Sequence, residues 1–174
     1  MNPDVVSTWS KILKKINNSK LVLKTSTKRF ATKRLKQLFE KNDVLESVEF
    51  INKVPEFKKH LENYNNIDIA LDTFPYNGVT TSFEAIWMGV PVITMAGYNF
   101  NSRCGESINK NLGMEQLIAK DEDDYIQKVS NLTNNYQDYI NLRKYIFHNA
   151  LKSPLFNIHE YSKNFFEALK EIVK

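Results

Sequence analysis

Between Asp72 and Glu84 the sequence reads DTFPYNGVTTSFE, and the residues in it that could do chemistry are Asn77, Gly78, Thr80, Thr81 and Glu84. The stretch follows the apolar run IDIALD, and the spacing of its apolar residues predicts a helix over Thr81 to Met88. A helix that starts after such a turn presents backbone N–H groups with no partner inside the helix. With the helix dipole behind them and threonine hydroxyls beside them, those donors suit an anion, above all a phosphate. Gly78 would let that ligand come close to the backbone. A purely structural role is open to the same residues: Thr80 or Thr81 can cap the helix, and if Thr81 is the cap, Glu84 stands where a capping box closes. Capping leaves TFPYNGV unexplained. A plain strand-to-helix connection manages with about 2 to 6 residues of generic turn chemistry, whereas this loop adds an aromatic and an Asn-Gly pair, which points to binding.

The elements that must position this stretch alternate along the chain. Asn2-Pro3 offers a cap and a first-turn proline, and Val5, Trp9, Ile12, Leu13 and Ile16 recur at helical spacing. KLVLKT (Lys20 to Thr25) predicts a strand, and Ala31, Leu35, Leu38 and Phe39 mark a second helix. SVEFI (Ser47 to Ile51) predicts a strand, with a helix after Pro55 through about Tyr64. IDIALD, PVITM and EQLIA are further strands, separated by helices over Thr81 to Met88 and Ser102 to Asn109. Strands alternating with helices of this length imply parallel pairing through right-handed crossovers, hence a doubly wound, mainly parallel α/β fold. In such a sheet ligands collect beyond the carboxyl ends of the strands, where DTFPYNGVTT lies. From about 121 to 174 the pattern is helical, with Ile158, Tyr161, Phe165, Leu169 and Ile172 lining a terminal helix over 157–174. No repeat or linker divides the chain, so 1–174 reads as one domain.

Composition bounds the function. At 174 residues, with 42% hydrophobic and 25% charged residues, the chain has ordinary globular values. No apolar run approaches the ~18 residues of a membrane span, so no membrane partner is expected. Cys104 is the only cysteine and the amino terminus has no apolar signal core, which together indicate a reducing, cytoplasmic compartment. One cysteine and the scattered His60, His148 and His159 give no metal-ligand spacing, and no metal or redox cofactor is expected. The net charge is +4, but between Val5 and Phe39 ten Lys or Arg residues occur without an Asp or Glu. That run reads as a solvated helix face or as a surface for an anionic partner. RNA-binding signatures are missing, so nucleic acid is not expected.

Several separated stretches share one resemblance. LDTFPYNGVTTSFEAIWMGVPVITMAG, Ser102-Arg103, LGMEQLIAK at Leu112 to Lys120, the opening NPDVVSTWSKILKKINNSKLVLK and SPLFN at Ser153 to Asn157 are together similar to the carboxyl-terminal half of SPINDLY-type O-linked N-acetylglucosaminyltransferases. The resemblance implies the carboxyl-terminal, Rossmann-like lobe of a two-lobed GT-B fold, holding a nucleotide sugar, usually UDP-GlcNAc, for inverting transfer to a protein Ser or Thr. It implies that Thr80 and Thr81 bind the diphosphate, with Asn77 and Gly78 in the same motif, that Glu84 accepts hydrogen bonds from the ribose hydroxyls, and that His60 packs near the nucleotide. A carboxylate's two oxygens suit two cis hydroxyls.

The sequence also departs from that pattern. Many relatives carry a histidine where this chain has Val79, which removes one donor toward the phosphates or sugar. The family further has a strand, a phosphate-binding lysine and the whole acceptor-side lobe before the position of Met1. The strand would be the central one, between KLVLK and IDIALD. Its absence implies direct pairing of those two strands, a strand from a partner or a swapped copy, or low stability of the chain alone. No catalytic base is assigned here, and a homo-oligomer is left open. The competing reading is a noncatalytic module that keeps the fold and acts through partners, with the basic face from Lys11 to Lys36 as its surface.

Overall fold

The structure, a computed structural model, describes residues 2–25 and 29–173. Helix α1 (Pro3–Lys15) begins as the sequence predicts: the Asn2 side chain accepts from the Val5 N–H at 2.8 Å and Pro3 occupies the first turn. Its apolar stripe of Val5, Val6, Trp9 and Ile12 is buried. Strand β1 (Leu21–Thr25) pairs in parallel with β2 (Val48–Asn52), Leu21 opposite Val48, with α2 (Arg29–Lys41) as the crossover. After α3 (Phe57–Glu62) and a short 3-10 turn come β3 (Ala70–Leu71), α4 (Thr80–Trp87), β4 (Val92–Met95), α5 (Cys104–Leu112) and β5 (Ile118–Ala119). These strands form a second parallel sheet in the order β3-β4-β5, and β1-β2 stands as a separate pair. Helices α6 (Glu122–Asn134), α7 (Tyr136–Lys152) and α8 (Ile158–Ile172) complete the chain. The architecture is α/β with parallel sheets, and the expected fold class holds.

Several element boundaries differ from the sequence reading, each for a local reason. IDIALD yields only Ala70–Leu71 as strand. At its start the Ala70 N–H donates to Pro91 O at 2.9 Å, and Pro91 has no N–H to return, so the ladder begins there. β1 and β3 are not laddered to each other; direct pairing of the two, one of the three alternatives the sequence left open, is not formed among the described residues. EQLIA is mostly a 3-10 turn over Glu115–Leu117 followed by β5. The helix expected at Ser102 starts at Cys104, because Asn99 and Ser102 close a capping box on a 3-10 turn of their own over Phe100–Ser102. The stripe on α8 is not packed: no α8 residue is buried, and Ile158 and Ile172 are 75% and 80% exposed.

One core joins the two sheets and the helices around them, from Val5 and Leu21 through Ile93 to Ile146. The base of α4 is fixed from α7. Arg143 lies at the carboxyl end of α4, donating through Nε to Gly89 O at 3.1 Å and through Nη2 to Met88 O at 3.4 Å. Its guanidinium satisfies carbonyls that a helix end leaves unpaired and places a cation at the negative end of the dipole. Arg143→Ala is expected to lower the unfolding free energy by about 1–3 kcal/mol in urea titration, with Arg143→Lys recovering less than half, since a lysine cannot fork across both carbonyls.

Candidate functional site

The strand β3 ends at Leu71, and Asp72 turns the chain into the loop. The Asp72 N–H still donates to Ile93 O at 2.9 Å, and the residue is 6% exposed. Oδ1 accepts from the Gly78 N–H at 2.6 Å and Oδ2 accepts from the Thr94 hydroxyl at 2.7 Å. The buried Tyr125 hydroxyl donates to Asp72 O at 2.9 Å. Around this anchor the loop is stitched by its own polar groups. Thr73 Oγ1 donates to Tyr76 O at 2.6 Å, Asn77 Nδ2 to Thr73 O at 2.9 Å, and Asn2 Nδ2 to Phe74 O at 2.9 Å. The last of these brings the start of α1 to the same edge as the loop.

Asn77 is 1% exposed, and its Oδ1 accepts from the Gly105 N–H at 3.2 Å. It therefore links the loop to the first turn of α5, with its amide committed inside the protein. Gly78 is a close-approach position, as expected, but what approaches is the chain itself. A Cβ there would lie 2.6 Å from Thr81 Oγ1 and 3.3 Å from Asp72 Oδ1.

The capping that the sequence allowed is not made. The residue before α4 is Val79, no side chain caps the helix, and the Thr80, Thr81 and Ser82 N–H groups have no protein acceptor among the described residues. Thr80 and Thr81 are exposed at this end. Val79 is 46% exposed beside them. Glu84 is turned away from the helix start. Its Oε2 lies 2.8 Å from His60 Nε2 and accepts from the Tyr64 hydroxyl at 3.1 Å. His60 and Glu84 side chains are each 15% exposed. Lys24, at the carboxyl end of β1, places Nζ 2.5 Å from His60 Nδ1. A lysine ammonium only donates, so Nδ1 accepts and Nε2–H donates to Glu84. Burial, then the Glu84 charge and hydrogen bond, push the Tyr64 hydroxyl well above its ordinary range, which keeps it a donor. The expected residues His60, Gly78, Thr80, Thr81 and Glu84 thus gather at one sheet edge, with Asn77 behind them.

Lys24, Tyr64 and Asp72 belong to the site and were not singled out from sequence. Lys24 and Tyr64 read as a strand residue and a helix-end aromatic. Asp72, last of an apolar run, is the one whose placement carried a signal, since a carboxylate closing a buried strand must find donors. Arg103, of the Ser102-Arg103 pair, lies 2.9 Å from Glu106 Oε2, and Lys110 lies 2.7 Å from Oε1. The Lys110 hydrogen bond most of all, with the Arg103 charge, holds the Glu106 carboxyl below its ordinary value. SPLFN braces the outer side of α4: the Phe156 ring lies 5.6 Å from Phe83 and 5.3 Å from Trp87, centroid to centroid. The basic run is partly neutralised by Lys11–Glu122 at 2.8 Å and Lys14–Asp43 at 4.0 Å. A groove of about 560 Å³ on α2, lined by Arg34, Gln37, Leu38, Glu40 and Lys41, shares no residue with the site.

Burial raises the Asp72 carboxyl from 3.8 to about 6, against the opposing bonds from Gly78, Thr94 and Thr73. The folded chain then binds more protons than the unfolded chain between those values. Asp72 therefore makes stability fall as pH rises from about 4 to about 6, and its effect is level above that. The swing is on the order of 3 kcal/mol. Subtracting the pH–stability curve of Asp72→Asn from that of the wild type, by urea titration, is expected to leave this slope; a flat difference would contradict it.

A family model for glycosyl transferase family 41 matches residues 1–165. The probable UDP-N-acetylglucosamine–peptide N-acetylglucosaminyltransferase SPINDLY of Solanum lycopersicum is 32% identical over 171 residues, 94% of this chain and 18% of that protein. Its counterpart in Eustoma exaltatum is 36% identical over 160 residues, 89% of this chain and 17% of that one. The chain thus spans under a fifth of the length of these curated relatives. Among solved structures, a mutant O-GlcNAc transferase of Thermobaculum terrenum matches with a TM-score of 0.91 at 29% identity, over 98% of this chain and 33% of that one. Sucrose-phosphate synthase of Thermosynechococcus elongatus matches in fold alone, with a TM-score of 0.71 at 14% identity, over 97% of this chain and 42% of that one. Among the described residues no helix is long and apolar enough to cross a membrane.

Proposed function

Because the chain belongs to glycosyl transferase family 41, we propose that its residues form the lobe that holds the nucleotide-sugar donor, UDP-GlcNAc, of an inverting protein O-N-acetylglucosaminyltransferase. One observation carries this reading: the amino end of α4 is uncapped, and one turn into the same helix Glu84 is held by His60 and Tyr64. The diphosphate lies at the Thr80 and Thr81 N–H and hydroxyl groups, where the helix dipole favours negative charge. Glu84, with oxygens to accept from two cis hydroxyls, takes the ribose. The His60 ring is fixed between Lys24 and Glu84 and offers the base a flat face.

The chemistry assigned to these residues is stabilisation of the departing group. As the glycosidic bond to the diphosphate breaks, charge builds on the phosphate oxygens, and preorganised N–H and hydroxyl donors at α4 stabilise it without reorganising. The Val79 side chain adds no donor, so leaving-group stabilisation rests on the threonines and the helix end. No residue of this chain is assigned as the general base, and that base and the groove for the acceptor Ser or Thr are expected mostly outside it. The chain alone is expected to bind UDP and not to turn over. Calorimetric titration with UDP is expected to show binding that Thr81→Ala weakens by about tenfold, the loss of one charge-assisted hydrogen bond. Equal affinity in the variant would reject the assignment.

A further inference from the structure

We propose that Asp72 is a positioning residue of this site: its carboxylate, touching no ligand, sets the loop and the first turn of α4 in the arrangement that receives a diphosphate. The proposal rests on the donor-binding reading above and names the device that prepares that site. Three structural facts support it. First, the two carboxylate oxygens have separate assignments, Oδ1 on the Gly78 N–H at 2.6 Å and Oδ2 on the Thr94 hydroxyl at 2.7 Å. One side chain thereby ties the loop just before α4 to the middle strand of the sheet. Second, both glycines beside it are packed against it. A Cβ on Gly78 would come within 3.3 Å of Oδ1, and one on Gly105, in the first turn of α5, within 2.6 Å of Oδ2. The carboxylate therefore sits between the amino ends of α4 and α5 and sets their spacing. Third, it is buried with no cation against it among the described residues, its stabilising contacts being the Gly78, Thr94 and Thr73 donors. A buried carboxylate without a cation beside it carries a desolvation cost even when its oxygens accept hydrogen bonds, so a neutral residue would be the more stable choice for a turn with no further task.

The consequence is preorganisation. From Gly78, held by Asp72, the chain reaches Thr80 in two residues, and Thr81 Oγ1 lies against the Gly78 backbone. Without the carboxylate the loop samples other conformations, and a diphosphate must fix it on binding, which lowers affinity even though every group that touches the ligand is still present. Glu84, His60 and Tyr64 are held by one another and do not touch Asp72. The nucleoside end of the ligand is therefore indifferent to Asp72, and this separates positioning from a general structural role.

The test is calorimetric titration of the 174-residue chain with UDP and with uridine, for wild type, Asp72→Ala, Asp72→Asn and Thr94→Val. Asp72→Ala is expected to weaken UDP by about tenfold or more and to change uridine by less than about twofold. Asp72→Asn keeps an acceptor for Gly78 and a partner for Thr94, and is expected to stay within about threefold of wild type for UDP. If Asp72→Ala does not fold, Thr94→Val decides, with an expected loss for UDP of about threefold and none for uridine. Unchanged UDP affinity in Asp72→Ala, or in Thr94→Val where that decides, overturns the proposal. So does an equal loss of UDP and uridine, which marks a merely structural residue. A wild-type chain that binds neither ligand overturns the donor-binding reading itself, and the two failures are thereby distinct.

Discussion

Replacing Gly105 by alanine is expected to destabilise the chain by about 2–4 kcal/mol and to remove UDP binding with it. Alanine in place of glycine inside a helix ordinarily stabilises by about 1 kcal/mol, so the predicted sign is opposite to propensity. The reason is local. The added methyl would lie 2.6 Å from Asp72 Oδ2 and 2.7 Å from Thr94 Cβ. Neither neighbour is a flexible end that can swing aside: Thr94 is β-branched, in a central strand and fully buried, and Asp72 is held at both oxygens. The first turn of α5 must then move off the sheet, breaking the Gly105 bond to Asn77 and leaving buried polar groups unpaired. Urea titration measures the loss; a variant as stable as wild type would show that α5 is not packed on the strand ends as described.

Glu84→Ala is expected to weaken UDP by about tenfold to a hundredfold, since two hydrogen bonds to a charged acceptor disappear together. The same substitution is expected to cost much less for 2′-deoxy-UDP, which lacks one of the hydroxyls. The difference between the two ligands is a coupling between carboxylate and hydroxyl, and it is insensitive to any general loosening of the site. That insensitivity matters because His60 and Tyr64 both lose their shared partner in the variant. An identical loss for both ligands would mean that Glu84 orders the site without touching the ribose. Thr81→Ala, by contrast, is expected to weaken the two ligands alike.

The alternation of strands and helices was legible because it depends on local periodicity, and DTFPYNGVTT could be placed at the ligand edge because strand, turn and helix signals lie next to one another. What could not be read depends on approach between distant segments. Lys24, His60 and Glu84 are separated by 36 and 24 positions along the chain and meet only when β1, α3 and α4 end on one edge. The capping box at Thr81 and Glu84 fits the sequence, but the carboxylate finds better donors in His60 and Tyr64 than in its own helix end. Asn77 read as a ligand-edge residue and is instead buried, since its side chain can bridge two backbones that the sequence does not bring together. The α8 stripe has the period of a packed helix, and periodicity alone does not say where its cover lies.

The most direct test of the central claim is a crystal structure of the chain soaked with UDP. The diphosphate oxygens are expected within about 3 Å of the Thr80 and Thr81 N–H and hydroxyl groups, with the ribose hydroxyls on Glu84. A diphosphate bound elsewhere, or an α4 amino end left empty at saturating UDP, would contradict it.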